Sequence, residues 1–166
     1  MSWRRCVRWS GRGSLTSMAG ALLLMTAGDA DAQTSVTMLS GLSFGSIVSG
    51  TTTSIPANSA SAMSFRIRAN VGLSLGFSLS LPTTLARVGG GATMPVSFCS
   101  TCGLYRVNNS NPSGAATFNP SNGLLGLVLL VASDVYVWVG GSTTPPLHQM
   151  AGSYTGTVVI TLASII

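Results

Sequence analysis

The chain has 166 residues, 46% of them hydrophobic and only 7% charged, with a formal net charge of +5. Half of its eight basic residues, Arg4, Arg5, Arg8 and Arg12, crowd one end. The basic balance is therefore a local property of that end, and the four arginines that remain are too scattered along the sequence to suggest a nucleic-acid-binding surface.

The first segment reads as an export signal. The arginines form a positive n-region, residues 18–27 form an apolar core of about ten residues, and Ala30-Asp31-Ala32 supplies a small-x-small pattern. Residues 1–32 are thus expected to be a helical signal peptide, cleaved between Ala32 and Gln33, which places the protein in the periplasm, at the cell surface or outside the cell. Residues 33–166 are one domain's length. There Arg66, Arg68, Arg87 and Arg106 face only Asp134, and Lys and Glu are absent. Ser, Thr, Asn and Gly take the place of charges, a composition that suits an extracellular β-protein and makes for an association-prone surface.

No long segment of this domain shows a helical period, and several alternate with a period of two. Residues 36–44 are extended and moderately apolar. Residues 51–53 and 56–58 read as a loop or irregular edge. Over 63–69, Met63, Phe65, Ile67 and Ala69 alternate with Ser64, Arg66 and Arg68, so one face is expected to be buried and the other wet. Leu73, Leu75, Phe77, Leu79 and Leu81 then face one way, and Pro82 ends the strand. The short connector Asn70-Val71-Gly72 predicts that these two strands pair as a hairpin. Gly89-Gly90-Gly91 marks a turn, and Met94, Val96 and Phe98 form a short strand pattern ending at Cys99. Residues 108–122 read as a polar loop. The apolar run 124–132, too short to cross a membrane as a helix, is a doubly buried strand or a short core helix, with the strand favoured. Residues 135–139 and 154–162 close the sheet. Tyr136 and Trp138 lie opposite Val135, Val137 and Val139, so that strand is central or covers a contact surface. Seven to nine short strands suggest an all-β antiparallel sandwich, with a small closed barrel as the alternative.

Three patterns could carry chemistry. Gly41-Leu42-Ser43-Phe44-Gly45 matches the nucleophile elbow G-x-S-x-G, with Asp134 and His148 following in the order of a serine hydrolase. The elbow must join a buried strand to a helix inside a parallel sheet, and no helical period follows Ser43, so no catalytic residue is expected. Cys99 and Cys102 form a C-x-x-C. A zinc site needs further ligands that are missing, and a redox site needs a βαβ context. Export favours a structural disulfide over free thiols, and since a straight strand would hold the two Cα atoms about 10 Å apart, bonding requires a turn. His148, beside Pro145-Pro146, reads as a loop residue. Neither a cofactor nor a metal is expected, and no transmembrane segment follows the signal.

The two ends of the domain carry a resemblance. Leu42-Ser43-Phe44-Gly45-Ser46-Ile47 resembles the L-x-F-G-x-I opening of a family of bacterial exported domains of unknown function. Val139-Gly140-Gly141 and Ala151-Gly152-Ser153-Tyr154-Thr155-Gly156-Thr157-Val158 resemble its V-G-G and A-G-x-Y-x-G-T closing motifs. That family is similar to spore coat protein U and to chaperone–usher pilin subunits. The resemblance implies an immunoglobulin- or pilin-like sandwich displayed at the cell surface, without catalytic residues. Leu42, Phe44, Gly45, Gly140, Gly141, Gly152, Tyr154, Gly156 and Thr157 would then be structural. In pilin relatives a neighbour's strand completes the sandwich; here Val36 and Met38 are the side chains a donated segment would offer. The expected function is a pilin- or coat-like structural protein that assembles with itself or with related subunits by pairing sheet edges. The alternative is an adhesin-like module that binds through its Ser/Thr/Asn-rich loops.

Overall fold

The computed structural model describes residues 34–69, 73–129 and 132–165, all within the unit Ala32–Ile166. The expected signal peptide and its cleavage point at Ala32 and Gln33 lie outside the described residues, as does the connector 70–72. Among the described residues the chain forms thirteen strands and no helix. The first seven are β1 (Ser35–Ser40), β2 (Thr53–Ile55), β3 (Met63–Ala69), β4 (Leu73–Ser80), β5 (Thr84–Arg87), β6 (Thr93–Ser97) and β7 (Gly103–Val107). The remainder are β8 (Ala116–Phe118), β9 (Leu124–Leu129), β10 (Ser133–Val139), β11 (Gly141–Thr143), β12 (Tyr154–Thr155) and β13 (Val159–Ile165).

They form three antiparallel sheets, ordered β1-β3-β10-β7-β8, β13-β4-β9 and β12-β5-β6-β11-β2. The first two pack face to face, as the alternation of their strands requires. From the first come Met63, Phe65, Ile67, Phe118, Val135, Val137 and Val139; from the second come Leu75, Phe77 and Leu79. The centre is aromatic. Phe77 meets Phe65 edge-on at 5.9 Å and Phe118 at 5.5 Å, the geometry that the ring quadrupoles favour. Each of these side chains is burial-driven, at about 25 cal/mol per Å² of apolar surface removed from water.

β3 and β4 are not hairpin partners. Both edges of β3 are taken, by β1 and β10, while β4 lies between β13 and β9 in the facing sheet. From β3 to β4 the chain passes from one sheet to the facing one, whereas β5–β6 and β7–β8 pair with their sequence neighbours. Residues 124–129 form a strand as expected, but it is not doubly buried. β9 is the edge of its sheet, Val128 is 66% exposed, and Gly126, at φ 76°, forms a bulge where the register with β4 shifts. The polar stretch 108–122 hides β8, whose Phe118 enters the core.

The third sheet grows out of the first at Val139-Gly140-Gly141. β10 ends, and β11 continues one residue later in the other sheet. A Cβ at Gly140 would sit 2.3 Å from the Ile55 carbonyl oxygen and 2.7 Å from the Ala57 nitrogen, so only glycine lets the chain pass β2 this closely. β6 tolerates Pro95 because its two pairings are staggered. It meets β5 over Thr93–Pro95 and β11 over Val96–Ser97, and Thr143 donates its hydroxyl to the Pro95 carbonyl at 2.6 Å.

Candidate functional site

The two facing sheets do not close along one side. β1 is the edge of the first sheet and β13 the edge of the second, so each has one row of backbone N–H and C=O groups that no strand among the described residues pairs. Register shows what this exposes. Val36 lies directly opposite Ile67, and Met38 opposite Phe65, so all four point to the same face. Ile67 and Phe65 are 0% exposed, whereas Val36 is 39% and Met38 is 64% exposed. The inward face of β1 thus extends past the layer meant to cover it. Leu39, the extra residue of a bulge against β3, is also exposed.

A groove of about 810 Å³ touches both edges, at Met38 of β1 and Ile160 of β13, and extends over the third sheet. Met63 and Phe65 of β3, Val158 just before β13 and Ile160 within it line the groove, together with Met94 of β6 and Phe98 just after that strand. The motif residues frame the same groove. Leu42, Phe44 and Gly45 border it in the irregular segment after β1, and Gly152, Tyr154 and Gly156 border it on the other side. Tyr154 is fixed there: its hydroxyl donates to the Met150 carbonyl at 2.6 Å and accepts from the Gln149 side-chain amide. A Cβ at Gly156 would meet the Leu85 side chain at 2.6 Å. Gly140 and Gly141 instead fix the junction of two sheets, and Thr157 is exposed. Val36 and Met38, the side chains a donated segment would offer, are already committed to β1 and its ladder with β3.

No family model, curated protein or solved structure matches the chain. The site must therefore be read from its own geometry.

Cys99 and Cys102 are joined in a disulfide, with Cα atoms 5.0 Å apart, in the turn between β6 and β7. The turn is the one bonding requires: the Cys102 amide donates to the Cys99 carbonyl at 3.1 Å. The Cys102 carbonyl in turn accepts the Gly140 amide at 2.9 Å, so the bridge steadies the point where β10 changes sheet. Ser43, Asp134 and His148 form no constellation. Ser43 is exposed at the groove, in an irregular segment rather than at a strand-to-helix elbow. Asp134 stands on the outward face of β10, 3.9 Å from Arg66, and His148 is exposed in the loop before β12. No hydrogen bond or ion pair links the three among the described residues. Nor do the described residues hold a group of three or more His, Cys, Asp or Glu that could bind a metal, and no helix among them is long and apolar enough to cross a membrane.

Proposed function

We propose that this is an exported structural protein of the cell surface, pilin- or coat-like, that assembles by accepting an extended strand from another subunit into its groove. One observation carries the reading: Met38 of β1 and Ile160 of β13 meet in one largely apolar groove, each on a sheet edge left unpaired among the described residues, and Met38 is exposed over it. A guest strand would bond to both edges and send every second side chain down towards Phe65 and Ile160, which is β-strand addition. The motif residues support it by shaping the groove's walls, and the Cys99–Cys102 bridge suits an oxidising compartment. The guest is the edge strand of a second copy, since Val36 and Met38 are no free donor segment, or a strand of a related subunit, and the role is structural rather than enzymatic.

Native mass spectrometry across a range of protein concentrations tests self-assembly. Oligomers that grow with concentration, and that Met38→Lys converts to monomers of unchanged thermal stability, are expected. Met38 is exposed, so the lysine can fold in place while its charge blocks an apolar guest. Oligomers that are indifferent to Met38→Lys would place the assembly surface elsewhere.

A further inference from the structure

The register of the first sheet gathers on its outward face charges that are scattered in the sequence. Thr37, Arg66, Tyr136 and Arg106 stand in one row across β1, β3, β10 and β7. The neighbouring row holds Ser35, Arg68 and Asp134. The row on the other side holds Ser40, Ser64, Trp138 and Leu104. Three of the four arginines outside the first thirty-three residues thus share one face with a single carboxylate.

That carboxylate offsets little. Asp134 meets Arg66 only at 3.9 Å, and both side chains remain partly exposed. Arg106 donates to the Asn111 and Ser113 carbonyls, which orient the guanidinium without cancelling its charge. Arg68 is exposed and has no hydrogen-bond or ion-pair partner among the described residues. Between the guanidiniums, Tyr136 stacks on Trp138 with ring centroids 6.3 Å apart. Beside them a depression of about 290 Å³ around Trp138 is lined by Ser40, Asn58, Ser59 and Ser64 together with Ala60, Ala62 and Pro112.

We propose that this face binds an acidic polysaccharide whose charges are carboxylates. The three arginines are spread over one sheet face, as a polymer requires. Arg66 and Arg106, two strands apart, hold their Cα atoms about 10 Å from one another. Guanidinium forks pair with carboxylates in two parallel hydrogen bonds. The Tyr136 ring offers an apolar surface to the C–H face of a sugar, and the depression around Trp138 suits its neighbouring ring. A nucleic acid fits less well: duplex DNA carries one charge per about 1.7 Å of axis, a density that three guanidiniums spread over one sheet face cannot meet. This face points away from the groove, so the inference does not depend on strand acceptance.

Fluorescence anisotropy with labelled polygalacturonate, its methyl ester and single-stranded DNA tests it. Saturable binding to polygalacturonate is expected, weakened by salt and lost on methyl esterification. Arg68→Gln should weaken binding by about two- to fivefold, the effect of one exposed charge contact. Arg87→Gln removes the same charge from another sheet and should leave binding unchanged. Equal binding of the methyl ester, DNA bound as tightly as polygalacturonate, equal weakening by the two arginine variants, or no saturable binding would each overturn the proposal.

Discussion

Gly140→Ala is the substitution whose cost the backbone fixes most sharply. Gly140 does not occupy a left-handed conformation, so alanine brings no torsional penalty of its own. The cost is steric. The new Cβ would meet the Ile55 oxygen at 2.3 Å, the Ala57 nitrogen at 2.7 Å and the Pro56 carbonyl carbon at 2.9 Å, all of them backbone atoms with no rotamer to yield. Either β2 peels from β11, or Gly140 shifts and loses the bond from its amide to the Cys102 carbonyl. Overpacking of this kind costs about 1–3 kcal/mol, and loss of the hydrogen bond about 1 kcal/mol more. A loss of about 2–4 kcal/mol is expected, read from urea unfolding followed by tryptophan fluorescence. Gly41→Ala is the internal reference. Its Cβ would lie 3.9 Å from the Met38 methyl, an ordinary contact, so alanine there should be neutral or stabilise by up to about 1 kcal/mol through the unfolded chain. If Gly140→Ala proved no more costly than Gly41→Ala, the close passage of β10 over β2 would be wrong.

Phe77→Ala should cost about 3–5 kcal/mol in the same assay, because it removes a fully buried ring and both of its aromatic contacts. Cys99→Ser combined with Cys102→Ser should cost about 2 kcal/mol, the loop-closure value for so short a ring. The disulfide variant should keep its fold by circular dichroism. Ser43→Ala should leave the protein's behaviour towards p-nitrophenyl esters unchanged, since no hydrogen bond or ion pair links Ser43 to His148 or Asp134 among the described residues.

What the sequence makes legible is each strand's inner face. Met63, Phe65 and Ile67, and likewise Leu75, Phe77 and Leu79, are buried where their alternation puts them, because a period of two is a local property of extended backbone. Partnership is not local. The link from β3 to β4 has a hairpin's length, yet it joins two layers because β1 and β10 already occupy both edges of β3. The short strands β5, β7, β8 and β11 carry too few alternating residues to stand out from loops, and β8 contributes to the core through Phe118 alone. The apolar run of β9 resembles a buried strand, but Gly126 twists it into an edge. The same limit hides both candidate surfaces. The groove exists because β1 and β13, from opposite ends of the domain, end their sheets on the same side. The arginine face exists because register brings Arg106 opposite Tyr136 and Tyr136 opposite Arg66. The motif glycines are visible in sequence, but what Gly140 and Gly156 make room for is not.

Strand acceptance is tested most directly by amide hydrogen exchange of the purified protein with and without a saturating extended peptide of alternating valine and threonine. Seating four valines would gain about 6–12 kcal/mol gross, from which the cost of ordering the peptide is subtracted. Slowed exchange confined to β1 and β13, and abolished by Met38→Lys, is the expected result. Peptide binding that leaves both strands unprotected, or that protects the outer strands β8 and β9 instead, would contradict it.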